Sequence, residues 1–217
     1  MSVTPRDTER LLAFIEVLNL DLSEQLAAEF GYDHPVLVCL DAVLSIRRPY
    51  QTFVVPRINA FRERYGDVDT LPNLRKLIEQ HSEDGFVDVW NYRHPERVRM
   101  LDALAVFFLA HGEKHCFTDD LAAMRHWAEH FNVAHKQSLD VAGIGPATTQ
   151  YLRMLLGVST VKPDRHIHRT VQQALGRRVT NGEAISLVEA VAKRLGVGAL
   201  VLDHAIWRWS SGGAEHQ

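Results

Sequence analysis

Between Leu139 and Val171 two backbone-directing motifs stand one helix apart, and they restrict the fold more than any other stretch of the chain. The first is Gly143-Ile144-Gly145-Pro146, which opens an apolar helical run through Tyr151, Leu152, Leu155 and Leu156. Two glycines allow positive φ and the close approach of another backbone. Pro146 suits a first helical turn, where its missing N–H costs nothing. The free N–H groups of such a turn, with the helix dipole, form an anion site that suits a phosphate. Ile144, held between the glycines, can pin a short hairpin to a core. The second motif is Lys162-Pro163-Asp164-Arg165-His166. Pro163 pushes Lys162 into an extended shape. A helix can then start at Asp164 and run through Ile167, Val171 and Leu175. One carboxylate thus sits at a helix start, downstream of a glycine-bent turn.

The rest of the chain reads as helix. Thr4-Pro5-Arg6-Asp7 is an N-cap, a first-turn proline and a capping carboxylate ahead of a stripe at Leu11, Leu12, Ile15, Leu18 and Leu22. Gly31 is expected to close an N-terminal pair of short helices. Asp33-His34-Pro35 starts a helix whose residues Val36, Leu37, Leu40, Val43 and Leu44 are apolar nearly all round, as a central helix requires. Further stripes follow. They run over Phe53 to Tyr65, from Thr70 through Ile78, from Arg97 to Leu109, over Leu121 to Phe131, from Ile185 to Leu195, and from Leu200 to Trp209. Residues 82–97 read as an irregular connection. No alternating run longer than a few residues appears. The expected class is all-α, without tandem repeats or low-complexity segments.

A hydrophobic fraction of 46% over 217 residues is enough for a real interior. No apolar run is long enough for a membrane span, and the start lacks a signal-peptide core. A soluble cytoplasmic protein is expected. Cys39 and Cys116 form no metal or disulfide framework, and both read as buried free thiols. The net charge of −3 argues mildly against a general nucleic-acid binder. From Gly143 to Arg178, however, Arg153, Lys162, Arg165, Arg169, Arg177 and Arg178 face Asp164 as the lone acid. Phosphate binding needs a local patch, not a basic whole. The alternative is a solvated helix face.

In this order and near this spacing, Val141-Ala142-Gly143-Ile144-Gly145 and Pro163-Asp164-Arg165-His166 resemble the two signatures of the helix-hairpin-helix (HhH-GPD) DNA glycosylase superfamily, the relatives of endonuclease III. There a Leu-Pro-Gly-Val-Gly hairpin grips DNA backbone and a Val-Asp-Thr-His motif supplies the catalytic aspartate. The likeness spans most of residues 30–211. It implies a two-subdomain helical fold: a six-helix domain over 32–158, and a second domain from 1–31 plus 159–217, with DNA across the groove between them. It implies base-excision repair of double-stranded DNA by a nucleoid-associated monomer, with Asp164 catalytic. Gly143, Ile144, Gly145 and Ala147 would hold backbone, helped by Arg153, Arg165 and Arg169. Ala147 stands where lyase members carry a Schiff-base lysine, so hydrolysis by water is expected. Pro-Asp-Arg replaces the commoner Val-Asp-Thr. No cysteine follows Cys116, so no iron–sulfur cluster is expected. Family hairpins often hold Na+ or K+ on backbone carbonyls, here those of Val141 and Ile144.

The helix opened by His34-Pro35 also aligns with a family helix whose following loop carries a wedge glutamine, and Arg47 falls at that position. An arginine can stack and pair with phosphate, so it is either the wedge or a surface arginine. Arg48, Tyr50, Trp90 and Tyr92 are candidate base-pocket residues, and Trp90 and Tyr92 could equally plug the core. Asp164 can be a plain N-cap, worth about 1 kcal/mol. His111 and His115 share a helix face, but their spacing lacks a zincin motif. The competing reading of the whole chain is a hairpin module that binds DNA without base chemistry.

Overall fold

The computed structural model describes residues 3–23, 30–132 and 138–212. Among them are eleven α-helices and no strand, as the periodicity requires. They are α1 (Pro5–Leu18), α2 (Pro35–Leu44), α3 (Val55–Arg64), α4 (Leu71–Gly85), α5 (Val87–Trp90), α6 (Pro95–Lys114), α7 (Asp120–His130), α8 (Pro146–Leu155), α9 (Arg165–Leu175), α10 (Asn181–Leu195) and α11 (Ala199–Gly212). A π-helical turn, Tyr50–Val54, leads into α3. No helix among the described residues is long and apolar enough to cross a membrane. The chain packs as two units, one of residues 31–156 and one of residues 1–30 with 157–217.

In the 31–156 unit every residue of α2 is buried, including its acid, Asp41. Helices α6 and α8 pack directly on it. A buried carboxylate is tolerable only when its oxygens are satisfied. Asp41 accepts hydrogen bonds from three phenols: Tyr32 (2.7 Å), Tyr50 (2.9 Å) and Tyr151 (2.9 Å). The C-terminus of α2 is held by a second buried ion. The Arg97 guanidinium donates to the carbonyls of Val43 (2.9 Å), Leu44 (3.1 Å) and Ile46. These carbonyls would otherwise be orphans of the helix end.

In the other unit, α1, α9, α10 and α11 enclose a core of Leu11, Ile15, Ile167, Val171, Val188 and Ile206, among others. Thr4 and Asp7 form the expected capping box on α1, and Thr180 and Glu183 form one on α10. Arg177 joins the two boxes, with bonds to Asp7 (3.2 Å) and Glu183 (3.1 Å).

Three local expectations need amendment, and a fourth lies partly outside the described residues. The first stripe ends at Leu18, not Leu22, because Asn19 turns left-handed (φ 47). The second short helix expected before Gly31 falls partly on residues 24–29, outside the described residues. The connection over 82–97 is partly helical: α4 runs past a break at Ser82 (φ 58), and α5 follows. Burial of Phe86, Val89 and Trp90 draws that segment inward. Cys39 is buried, but Cys116 is exposed, since it lies in the turn after α6 at φ 59.

Replacing Asp41 by alanine would leave three phenols without their acceptor and open a cavity. The expected loss is about 3 kcal/mol of unfolding free energy, read by urea denaturation. A Tyr32→Phe variant, which removes only one donor, should lose about 1 kcal/mol.

Candidate nucleic-acid interface

The hairpin is a tight turn built by its own residues. The Ile144 N–H donates to the Val141 carbonyl at 3.0 Å, and Gly143 has φ 85. Ile144 is buried and Val141 nearly so, while Ala142 and Gly143 face solvent. Thr149, fully buried, fastens the turn from below. Its hydroxyl donates to the Gly145 carbonyl and accepts the Leu139 N–H, both at 3.1 Å. Gly145 is the N-cap of α8, and no side chain caps this helix. The N–H groups of its first turn, beside Ala147, therefore keep their capacity for an external acceptor. The two glycines differ. A Cβ on Gly143 would meet the Met100 Cε at 2.3 Å, whereas a Cβ on Gly145 would meet nothing within 4 Å. The Val141 carbonyl, one of the two candidate cation ligands with that of Ile144, already accepts the Ile144 N–H.

In the other unit, Asp164 is the N-cap of α9. Its Oδ1 accepts the N–H groups of His166 (2.8 Å) and Ile167 (3.3 Å). The residue is half-buried. Burial holds the His166 ring below the usual histidine range, against the pull of the Asp164 carboxylate, and its Nδ1 lies 2.9 Å from the Ser210 hydroxyl. A second carboxylate, Asp203 on α11, stands near Asp164. It is 6% exposed and accepts the Lys162 N–H at 2.9 Å. Burial, reinforced by the Asp164 charge, pushes its pKa up to about 8.

The predicted cations divide by fate. Arg47 is exposed with φ 53, a left-handed position that projects it from the loop after α2. Arg165 and Arg169 are exposed on α9, one turn apart. Arg153 instead binds its own unit, donating to the Ala128 carbonyl (2.9 Å) and to Gln150 (2.8 Å). Of the candidate pocket residues, Arg48 and Tyr92 meet: the guanidinium donates to the phenol at 2.8 Å, and both lie against Phe53. Arg57 sits over the same Phe53 ring at 3.7 Å. Tyr50 is drawn away to Asp41. Trp90 faces the interior, 2% exposed, with its indole N–H on the Tyr92 carbonyl and its ring edge-on to Phe86. Its bulk fills the core, so it lines no pocket.

Three groups escaped the sequence reading. Asp41 and Asp203 are single acids inside apolar helical runs, and that isolation is itself a signal. His126 joins the noted pair His111 and His115 only through the α6–α7 packing.

The chain belongs to a family described as a domain of unknown function. That family, DUF8548, is matched over residues 10–211. No curated protein and no solved structure matches the chain.

The raised pKa of Asp203 has a pH signature. In the unfolded chain the carboxyl titrates near the ordinary aspartate value of 3.8, and in the folded protein at about 8. The folded state thus binds the extra proton between those values, and stability falls as pH rises through that window. Asp203→Asn keeps the acceptor and cannot ionise. Its stability relative to wild type should therefore grow steadily from pH 4 to pH 8, measured by urea denaturation at each pH. A flat difference would show that Asp203 is not protonated at neutral pH.

Proposed function

We propose that this chain is a DNA glycosylase of the helix-hairpin-helix kind. It would bind double-stranded DNA by the hairpin and hydrolyse the N-glycosidic bond of a damaged or mismatched base. The observation that carries the reading is the hairpin itself: a glycine-bent turn, anchored by buried Ile144, that delivers an uncapped helix N-terminus. Such a terminus binds phosphate without reading sequence. Arg47, Arg165 and Arg169 add exposed positive charge.

In this reading the target nucleotide first leaves the stack, at a cost of a few kcal/mol that is least for damaged or mismatched pairs. The bond from C1′ to the base breaks, and its electron pair leaves with the base. The sugar becomes an oxocarbenium-like cation, which the Asp164 carboxylate stabilises. Water then adds to C1′ and loses its proton, with Asp164 as the general base. With Ala147 in the hairpin no amine is available at that position for a Schiff base, so the product is an abasic site and not a cleaved strand.

A second reading, binding without base chemistry, draws on one observation. The Asp164 oxygen already accepts two backbone N–H bonds as an ordinary N-cap does. The two readings part in one assay. Base release is measured on a panel of duplexes carrying deaminated, oxidised, alkylated and mismatched bases. If the chain is a glycosylase, wild type releases at least one of them, and Asp164→Asn slows release by about a hundredfold or more with duplex affinity retained. Wild type that binds duplex yet releases nothing makes it a binding module.

The hairpin has its own probe. Because a side chain at Gly145 meets open space, Gly145→Leu should leave the thermal midpoint unchanged. It should still weaken duplex binding by about tenfold or more, a loss of roughly 1.4 kcal/mol, equally across sequences. Unaltered affinity in a gel-shift or anisotropy titration would remove the hairpin as the DNA grip.

A further inference from the structure

The corner between α6 and α7 gathers histidines. His111 lies in the last turn of α6, His115 ends it, and His126 comes from α7. One ligating nitrogen from each falls within 4.8 Å of the others. The closest pair, His111 Nε2 and His126 Nδ1, is 3.1 Å apart. Two imidazoles on a tetrahedral Zn2+, with Zn–N near 2.0–2.1 Å, place their nitrogens about 3.3 Å apart. The pair therefore already stands close to coordination distance, and the exposed His115 ring completes the set within 4.8 Å.

We infer that His111, His115 and His126 form a binding site for a divalent transition ion of the Zn2+ class. Three nitrogen donors exclude Mg2+ and Ca2+ as natural occupants, since both prefer oxygen. Within the described residues no fourth side chain joins the group, so an exchangeable water completes the shell. That open position separates this site from a closed structural one.

The fold supports the site from behind. The Gly112 Cα, one residue after His111, lets α6 and α7 approach closely: a Cβ there would lie 3.3 Å from the Ala123 Cβ. The Phe117 N–H donates to the Gly112 carbonyl at 2.9 Å and sets the turn that returns the chain into α7. His130 stacks on His126 at 4.2 Å between ring centroids, and its Nδ1 lies 2.8 Å from the His126 carbonyl. That packing limits the rotation of the His126 ring. A bound ion would cross-link the end of one helix to the middle of the next and so stabilise the folded chain by mass action. The site lies within the 31–156 unit and is independent of any reading of the hairpin.

The competing account of the 3.1 Å contact is a plain hydrogen bond between two imidazoles. Zn2+ titration of the chelator-treated full chain, with a chromophoric competitor, decides between them. The expected result is one Zn2+ bound with micromolar or tighter affinity, a thermal midpoint raised by Zn2+ and restored by EDTA, and intense visible absorption when Co2+ replaces Zn2+. His126→Ala should cost about a hundredfold in affinity. His115→Gln, at an exposed position that bears little on packing, should also lose the Co2+ band. His81→Ala on α4 should change neither. Zn2+ binding only at millimolar levels, or equal in wild type, His115→Gln and His126→Ala, overturns the proposal.

Discussion

One buried carboxylate organises the 31–156 unit. Asp41 sits in a helix with no exposed face, and its charge is tolerable there only because three phenols converge on it. The convergence has a positional effect. Tyr151 belongs to α8, the helix that the hairpin opens, and Tyr50 follows the loop that carries Arg47. The same acid therefore anchors two of the surface elements that the DNA reading uses, the hairpin helix and the Arg47 loop. Burial, with the Asp41 charge next in order, pushes the Tyr50 phenol up to about 12 and raises Tyr32 and Tyr151 as well, so the hydroxyls stay donors across the physiological range. Arg97 holds the C-terminal carbonyls of the same helix, just beyond Asp41, with a guanidinium that does not deprotonate.

Local chemistry was legible in the sequence wherever it depends on neighbours along the chain. The caps at Thr4 and Asp164 follow from residue type and spacing, and so does the all-α class. The turn at Gly143-Ile144-Gly145 is equally local. Long-range relations were not legible. Arg153 reads as a free cation on a basic stretch, yet its guanidinium reaches across to the Ala128 carbonyl on α7. Trp90 and Tyr92 stand two residues apart, and only packing sends one ring inward and leaves the other against Arg48. The pairing of Asp164 with Asp203 joins α9 to α11, and no periodicity encodes it. Single polar residues in apolar runs are where such relations hide, because burying one is costly unless a distant partner answers it.

Asp164 is an N-cap, and in the proposed glycosylase reading the same side chain would also take the chemical role. As an N-cap it is held by two backbone N–H groups, which fix its rotamer. An acid that must stabilise a short-lived cation gains from being held in place beforehand. The second carboxyl nearby adds an electrostatic constraint. Two ionised acids at close range repel, and the deeper one keeps its proton. Asp203 is the deeper of the two, and its burial, reinforced by the Asp164 charge, is what raises its pKa to about 8.

The two cysteines of the chain lie at opposite extremes of exposure. Cys39 is enclosed in α2, where burial raises its thiol above the usual range and keeps it inert. Cys116 projects from the turn after α6, open to solvent. Under oxidising handling, two chains can couple through Cys116 without any native contact between them. A covalent pair on a non-reducing gel would then report air oxidation and not self-association, while a maleimide dye would label the folded protein at one known corner.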